Sequence, residues 1–194
     1  MPPQWWAAAS TAVLYLAAIA KGKKGWFKVL PALLLASALT PAKPFGALAF
    51  IACAAGDAFL LDKERYFLHG IGAFLVAHLL FVPALLQDGW TEPPAVLIAA
   101  IVALTVGVLV AVLPQLRGKL RVAVPVYGLA LAAMAVAAGA HSALAATGAM
   151  IFVLSDGLLA INRFAHPLPK AELLVLSTYF AALLTLAAGL LAPG

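Results

Sequence analysis

The chain has 194 residues, 65 % of them hydrophobic and 10 % charged, with a formal net charge of +5 and a mean hydropathy of +1.09. Soluble domains carry charge on about a quarter of their residues, so this composition excludes a water-facing globule and makes lipid the principal solvent. The single cysteine, Cys53, excludes an internal disulfide and a thiolate-rich metal site, and the basic residues flank apolar segments as topology determinants do, so the positive charge does not point to nucleic acid.

Stretches near the length that crosses a bilayer, about 20 apolar residues, fall at 5 to 20, 26 to 41, 44 to 61, 67 to 87, 94 to 113, 122 to 140, 142 to 162 and 171 to 192. The expected fold is all-α, a polytopic bundle of eight transmembrane helices forming one membrane domain over residues 1–194. Apolar segments recur to the last residues, so no cleaved leader is expected. The second span is short and carries Pro31, and the sixth and seventh meet at Ala140 to Ser142 with almost no loop.

Lys21, Lys23, Lys24, Lys28, Lys63, Arg65, Arg117, Lys119, Arg121, Arg163 and Lys170 all follow odd-numbered spans, and only Lys43 lies on the other side. The positive-inside rule makes the crowded face cytoplasmic and both termini non-cytoplasmic, with Trp5, Trp6 and Trp90 anchoring the outer interface. Short loops and alanine-leucine richness suit a bacterial inner membrane. "GDAFLLDKERY" in the third span and "SDGLLAINRF" in the seventh share an Asp after a small residue, then leucines, then an Arg beside an aromatic. Together with Pro31 and Pro125 they hint at two parallel four-helix halves.

Asp57 lies six positions before Lys63, and Asp156 seven before Arg163. At about 1.5 Å per helical residue, each acid lies roughly 9 to 11 Å beneath the cytoplasmic charge boundary. Lys28, Tyr127 and Tyr179 enter the same layer from other spans. An ionisable side chain within a span costs at least about 2.5 to 3.5 kcal/mol on insertion scales, so both acids need compensation. Two readings stand. Asp57 pairs with Lys28, and Asp156 accepts from Tyr127 or Ser155, purely to hold helices together; or the two carboxylates line a cavity open to the cytoplasmic leaflet.

Of the four histidines only His78 lies near mid-membrane, and the scatter in depth of His69, His141 and His166 argues against a shared zinc site. His78 reads either as a helix-to-helix hydrogen bond or as part of a site. No G-x-S-x-G, H-E-x-x-H or phosphate-binding glycine loop is present. Ser10, Ser37, Ser142 and Ser177, and the glycines at 70, 72, 128, 148 and 157, read as helix-packing residues.

"AAGDAFLL", "FLHGIGAFLVAHLLFVPAL", "PVYGLALAAMA", "GAMIFVLSDGLLAINRF" and "LSTYFAALLTLAAGLL" occur in that order. From about Lys28 onward the chain resembles the YhhN-type lysoplasmalogenase family. Two departures are visible. The family tends to place a lysine just before a proline on span two, where this chain has Lys28 and Pro31 three residues later; a glutamine often found after the span-eight tyrosine is replaced here by "FAALL" after Tyr179. The resemblance implies hydrolysis of the vinyl ether bond of lysoplasmalogens to a fatty aldehyde and glycerophosphoethanolamine or glycerophosphocholine. Its two motif aspartates fall on Asp57 and Asp156.

That chemistry suits two buried carboxyls. A proton added to the carbon β to the ether oxygen gives an oxocarbenium ion, water adds, and the hemiacetal collapses. A carboxyl in water titrates near 3.9 and is almost wholly ionised at pH 7, whereas burial and a neighbouring carboxylate favour a retained proton. Two such groups titrate as a pair, one keeping the proton while the other stays charged, the division of labour used in glycoside hydrolysis. Asp57 and Asp156 are the expected catalytic pair, in an order the sequence leaves open. Lys28, His78, Tyr127, Tyr179 and Ser155 are the expected substrate-binding residues, with Lys24 and Arg163 near the mouth. No metal or organic cofactor is required, the expected partners are a lysophospholipid and membrane lipid, and the oligomeric state is left open. The competing reading is a small proton-coupled or lipid transporter in which the same aspartates carry protons.

Overall fold

Prolines and polar breaks set the helix boundaries in the computed structural model, which describes residues 1–192. The elements are α1 (Pro3–Ala20), α2 (Leu30–Leu39), α3 (Pro44–Phe59), α4 (Lys63–Leu86), α5 (Ala95–Val112), α6 (Leu120–His141), α7 (Ala143–Ala160) and α8 (Ala171–Leu191), with no strand among the described residues. The first three helices carry Pro3, Pro31 and Pro44 at their first or second position, where a missing N–H leaves no intrahelical bond unmade.

Pro31 tolerates only the first turn of a helix, so α2 begins later than the apolar run implies. A 3₁₀ turn over Trp26–Val29 precedes it and carries Lys28. A similar turn, Leu60–Asp62, separates α3 from α4. Residues 63 to 66, expected as a loop, open α4 instead: Asp62 caps it by accepting from the Arg65 N–H at 3.2 Å, and the backbone breaks from helical geometry at Tyr66. The junction of α6 and α7 is the single extended residue Ser142. Its hydroxyl accepts from the Ala145 N–H at 3.1 Å, which makes Ser142 a helix cap rather than the packing residue expected. A π turn over Ile161–Ala165 extends α7.

Five stretches are long and apolar enough to cross a membrane: Pro44–Leu86, which runs through α3 and α4, then Ala95–Gln115, Leu120–His141, Ala143–Ala165 and Ala171–Leu191. The chain is a multi-pass integral membrane protein. Helices α1, α2, α3, α4, α6, α7 and α8 each pack on the next, and α8 returns to α1, closing a ring. Helix α5 stands outside, against α6 and α7, with only Ile101 and Val112 buried. It is apolar on every face, which suits contact with lipid.

The α7–α8 contact is close because glycines face backbone. A Cβ on Gly148 would fall 2.5 Å from the Leu186 nitrogen, and one on Gly189 2.6 Å from the Ala145 nitrogen. Gly72, by contrast, faces open space. Trp6 and Trp90 are exposed, but the Trp5 indole donates to the Leu184 carbonyl at 3.0 Å and ties α1 to α8.

Candidate active site

Asp57 lies in the last turn of α3 and is 1 % exposed. The tight turn ahead of α2 aims Lys28 inward, so that its Nζ stands 2.9 Å from Asp57 Oδ1. Tyr179 of α8 donates its hydroxyl to Oδ2 at 2.7 Å. The Lys28 contact is an ion pair outside hydrogen-bond geometry, so Oδ1 keeps an unshared lone pair. A pair this buried is sensitive to the loss of either member, since the survivor is an isolated charge in low dielectric.

Asp156 lies in the corresponding turn of α7 and receives a hydrogen bond on Oδ2 from the Tyr127 hydroxyl of α6. His78 of α4 is fully buried; its Nε2 is 2.9 Å from the Tyr127 oxygen and 3.7 Å from Asp156 Oδ2. Its Nδ1 has no partner. Asp156, Tyr127 and His78 therefore form a hydrogen-bonded chain running from a cavity wall into the core.

Both carboxylates line one cavity of about 110 Å³, whose other walls are mostly apolar side chains of α4, α5, α6, α7 and α8, with Lys28, Thr105, Tyr127 and Tyr179 among the polar members. Each acid has its own partners. Two aromatic rings connect the clusters: Phe152 packs edge-on against His78 at 5.0 Å and Tyr179 at 5.7 Å, and Phe74 against Tyr179 at 5.7 Å. Both rings escaped the sequence reading because phenylalanines in apolar helices carry no signal of their own. Their position one layer inside the acids was the available clue.

Ser155 also lines the cavity, but its hydroxyl donates to the Val175 carbonyl at 3.0 Å and not to Asp156. A serine preceding an aspartate on a helix points about 100° away from it, here toward α8. Lys24 and Arg163, expected at the mouth, are already ion-paired, Lys24 with Glu172 at 2.8 Å and Arg163 with Glu64 at 2.9 Å. His69 stacks near Phe59 and Tyr66, and His141 reaches the Gly189 carbonyl at 3.3 Å. Among the described residues no three His, Cys, Asp or Glu side chains converge as metal ligands do.

A ring of membrane helices carrying two differently partnered carboxylates on one largely apolar cavity, which α5 closes from outside, defines a polytopic membrane protein with an intramembrane polar site. The chain belongs to the YhhN family, whose family model matches residues 4–190. Human lysoplasmalogenase TMEM86B is 37 % identical over 191 residues, covering 92 % of this chain and 83 % of that protein. The TMEM86B lysoplasmalogenase of Sus scrofa is 42 % identical over 137 residues, 69 % of this chain and 58 % of its own length. A lysoplasmalogenase of Mycobacterium tuberculosis (strain CDC 1551 / Oshkosh) is 41 % identical over 106 residues, 50 % of this chain and 41 % of that protein. The chain thus spans less than two thirds of the pig and mycobacterial relatives. No solved structure matches this chain.

Proposed function

We propose that the chain hydrolyses the vinyl ether bond of lysoplasmalogens, releasing a fatty aldehyde and a glycerophospho-headgroup. The observation that carries this reading is the unequal surroundings of the two acids on one apolar cavity. Asp57 has a counter-cation in Lys28; Asp156 has a phenol and an imidazole. Asp156 accordingly gives its proton to the carbon β to the ether oxygen. Asp57 faces the resulting oxocarbenium ion as the fixed anion, with the Phe74 ring as a further electron-rich surface. Water then adds to the cation. The hemiacetal breaks its carbon–oxygen bond to give aldehyde and alcohol, and the proton released from water returns to Asp156 through the cavity-lining Tyr127 hydroxyl, which His78 orients from the core side. Tyr179 holds Asp57 in place by its hydrogen bond.

The relatives' shared name supports the substrate class. All eight helices are inferred to cross the bilayer as one domain, both ends of the chain on the non-cytoplasmic side of a bacterial inner membrane. The placement of eleven of the twelve basic residues supports this orientation, and the cavity then opens toward the cytoplasmic leaflet. A parallel 4+4 repeat is supported by the matching partner pattern around the two aspartates.

Purified protein in detergent, offered a lysoplasmalogen and its saturated alkyl ether analogue, should release aldehyde from the first alone. Folded Asp57→Asn and Asp156→Asn variants should each lose turnover by at least about 100-fold, the lower range for general acid–base groups. Aldehyde from neither lipid, or near-normal turnover in either Asn variant, overturns the reading. Vectorial uptake of lipid into liposomes without turnover would favour a transporter.

A further inference from the structure

A second recess of about 280 Å³ adjoins the cavity, and the side chains of Lys28, Leu60 and Leu176 are common to both spaces. The cavity is apolar, whereas the recess carries Lys24, Lys63, Asp62, Glu64 and Glu172. Almost every charge there is already committed. Lys24 pairs with Glu172, Glu64 with Arg163, Lys28 with Asp57, and Asp62 caps α4.

Lys63 is different. It is half-buried and forms no ion pair among the described residues. Asp62, Glu64 and Glu172 also line the recess, but each is committed elsewhere, so the Lys63 ammonium has no anion of its own and the recess has space for one.

We infer that this recess binds the phosphodiester of a phospholipid headgroup, with Lys63 as the ligand to the phosphate. The inference rests on the vinyl ether reading for the identity of the lipid. It places the phosphate in the recess and the alkenyl chain in the cavity, with the glycerol backbone beside the shared residues Lys28, Leu60 and Leu176. A point-charge ammonium suits an oxyanion reached through a flexible lipid. The recess also explains why Lys28 can remain with Asp57: the phosphate has a separate cation.

The test uses two ligands the protein does not cleave, a saturated 1-alkyl lysophosphatidylethanolamine and the matching 1-alkylglycerol, titrated calorimetrically against full-length protein in nanodiscs. Lys63→Gln should weaken the phospholipid at least about tenfold, a charge-assisted contact's worth, and leave the alkylglycerol unchanged; Lys63→Arg should restore most of the affinity. Unchanged phospholipid affinity in Lys63→Gln, or equal weakening of both ligands, overturns the inference. Complete displacement of the phospholipid by inorganic phosphate at equal concentration would mark a free-anion site and overturn it as well. Neither ligand is turned over, so failure here leaves the vinyl ether chemistry standing, and a lack of aldehyde with this binding intact would remove the chemistry alone.

Discussion

Lys28 and Tyr127 stand in the same relation to their aspartates: each meets the carboxylate 29 residues further along the chain, Lys28 at Asp57 and Tyr127 at Asp156. The second partner comes from across the ring in both cases, Tyr179 of α8 for Asp57 and His78 of α4 for Asp156. Identical placement with different chemistry yields one acid beside a cation and one on a hydrogen-bonded chain. That asymmetry is what a reaction needing both an anion and a proton donor requires.

Lys28→Met should therefore be more damaging than its distance from the ether bond implies. It leaves Asp57 buried without its cation, at a cost of about 3 to 5 kcal/mol in stability. The double variant Lys28→Met/Asp57→Asn should recover most of that stability while remaining inactive. Thermal unfolding in detergent alongside aldehyde release separates the two effects, and a stable Lys28→Met enzyme with normal turnover would show that the pair is dispensable.

Tyr127→Phe removes the link between His78 and Asp156 without changing helix packing greatly. Turnover should fall about 100-fold or more with KM nearly unchanged, as expected for a group acting in proton transfer and not in binding. His78→Gln should give a smaller loss in the same direction, because Tyr127 still contacts Asp156. Single-turnover kinetics on a vinyl ether lipid read both, and a loss confined to KM would reassign Tyr127 to substrate binding.

The layer holding Lys28, Asp57, Tyr127, Asp156 and Tyr179 was legible because polar exceptions in apolar runs can be placed by depth, each counted from the nearest basic flank. The bonds within the layer were not. Lys28 reaches Asp57 only because Pro31 forces a 3₁₀ turn ahead of α2, and Ser155 turns to α8 because of helix rotation, which hydropathy does not encode. The exclusion of α5 from the ring was equally hidden: every span looks alike by composition, and only packing distinguishes a lipid-facing helix from a ring member. Lys63 read as one more topology charge because its lack of a counterion is a property of folded neighbours.

Small residues set the spacing of α7 and α8, which carry Asp156 and Tyr179. Gly148→Ala drives a methyl into the backbone of Leu186 and should cost about 1 to 3 kcal/mol as overpacking does, with turnover reduced as the two helices part. Gly72→Ala is the control, since its Cβ meets nothing; it should be neutral or add up to about 1 kcal/mol through helix propensity. Equal melting temperatures for the two variants would contradict the close α7–α8 contact.

The α5–α6 wall of the cavity bears on chain-length selection. Gly128 on α6 lines it, and the first atoms a Cβ there would meet are the Thr105 methyl at 3.7 Å and Leu109 at 3.9 Å on α5. A side chain at this position meets no backbone at its Cβ, and a leucine would fill space an alkenyl chain would occupy. Gly128→Leu should therefore spare short-chain lysoplasmalogens and raise KM for long-chain ones, with each excluded methylene worth about 0.8 kcal/mol of lost apolar burial. Competition between short- and long-chain substrates in one reaction gives the ratio of kcat/KM directly, and an unchanged ratio in Gly128→Leu would send the alkenyl chain elsewhere than the α5–α6 wall.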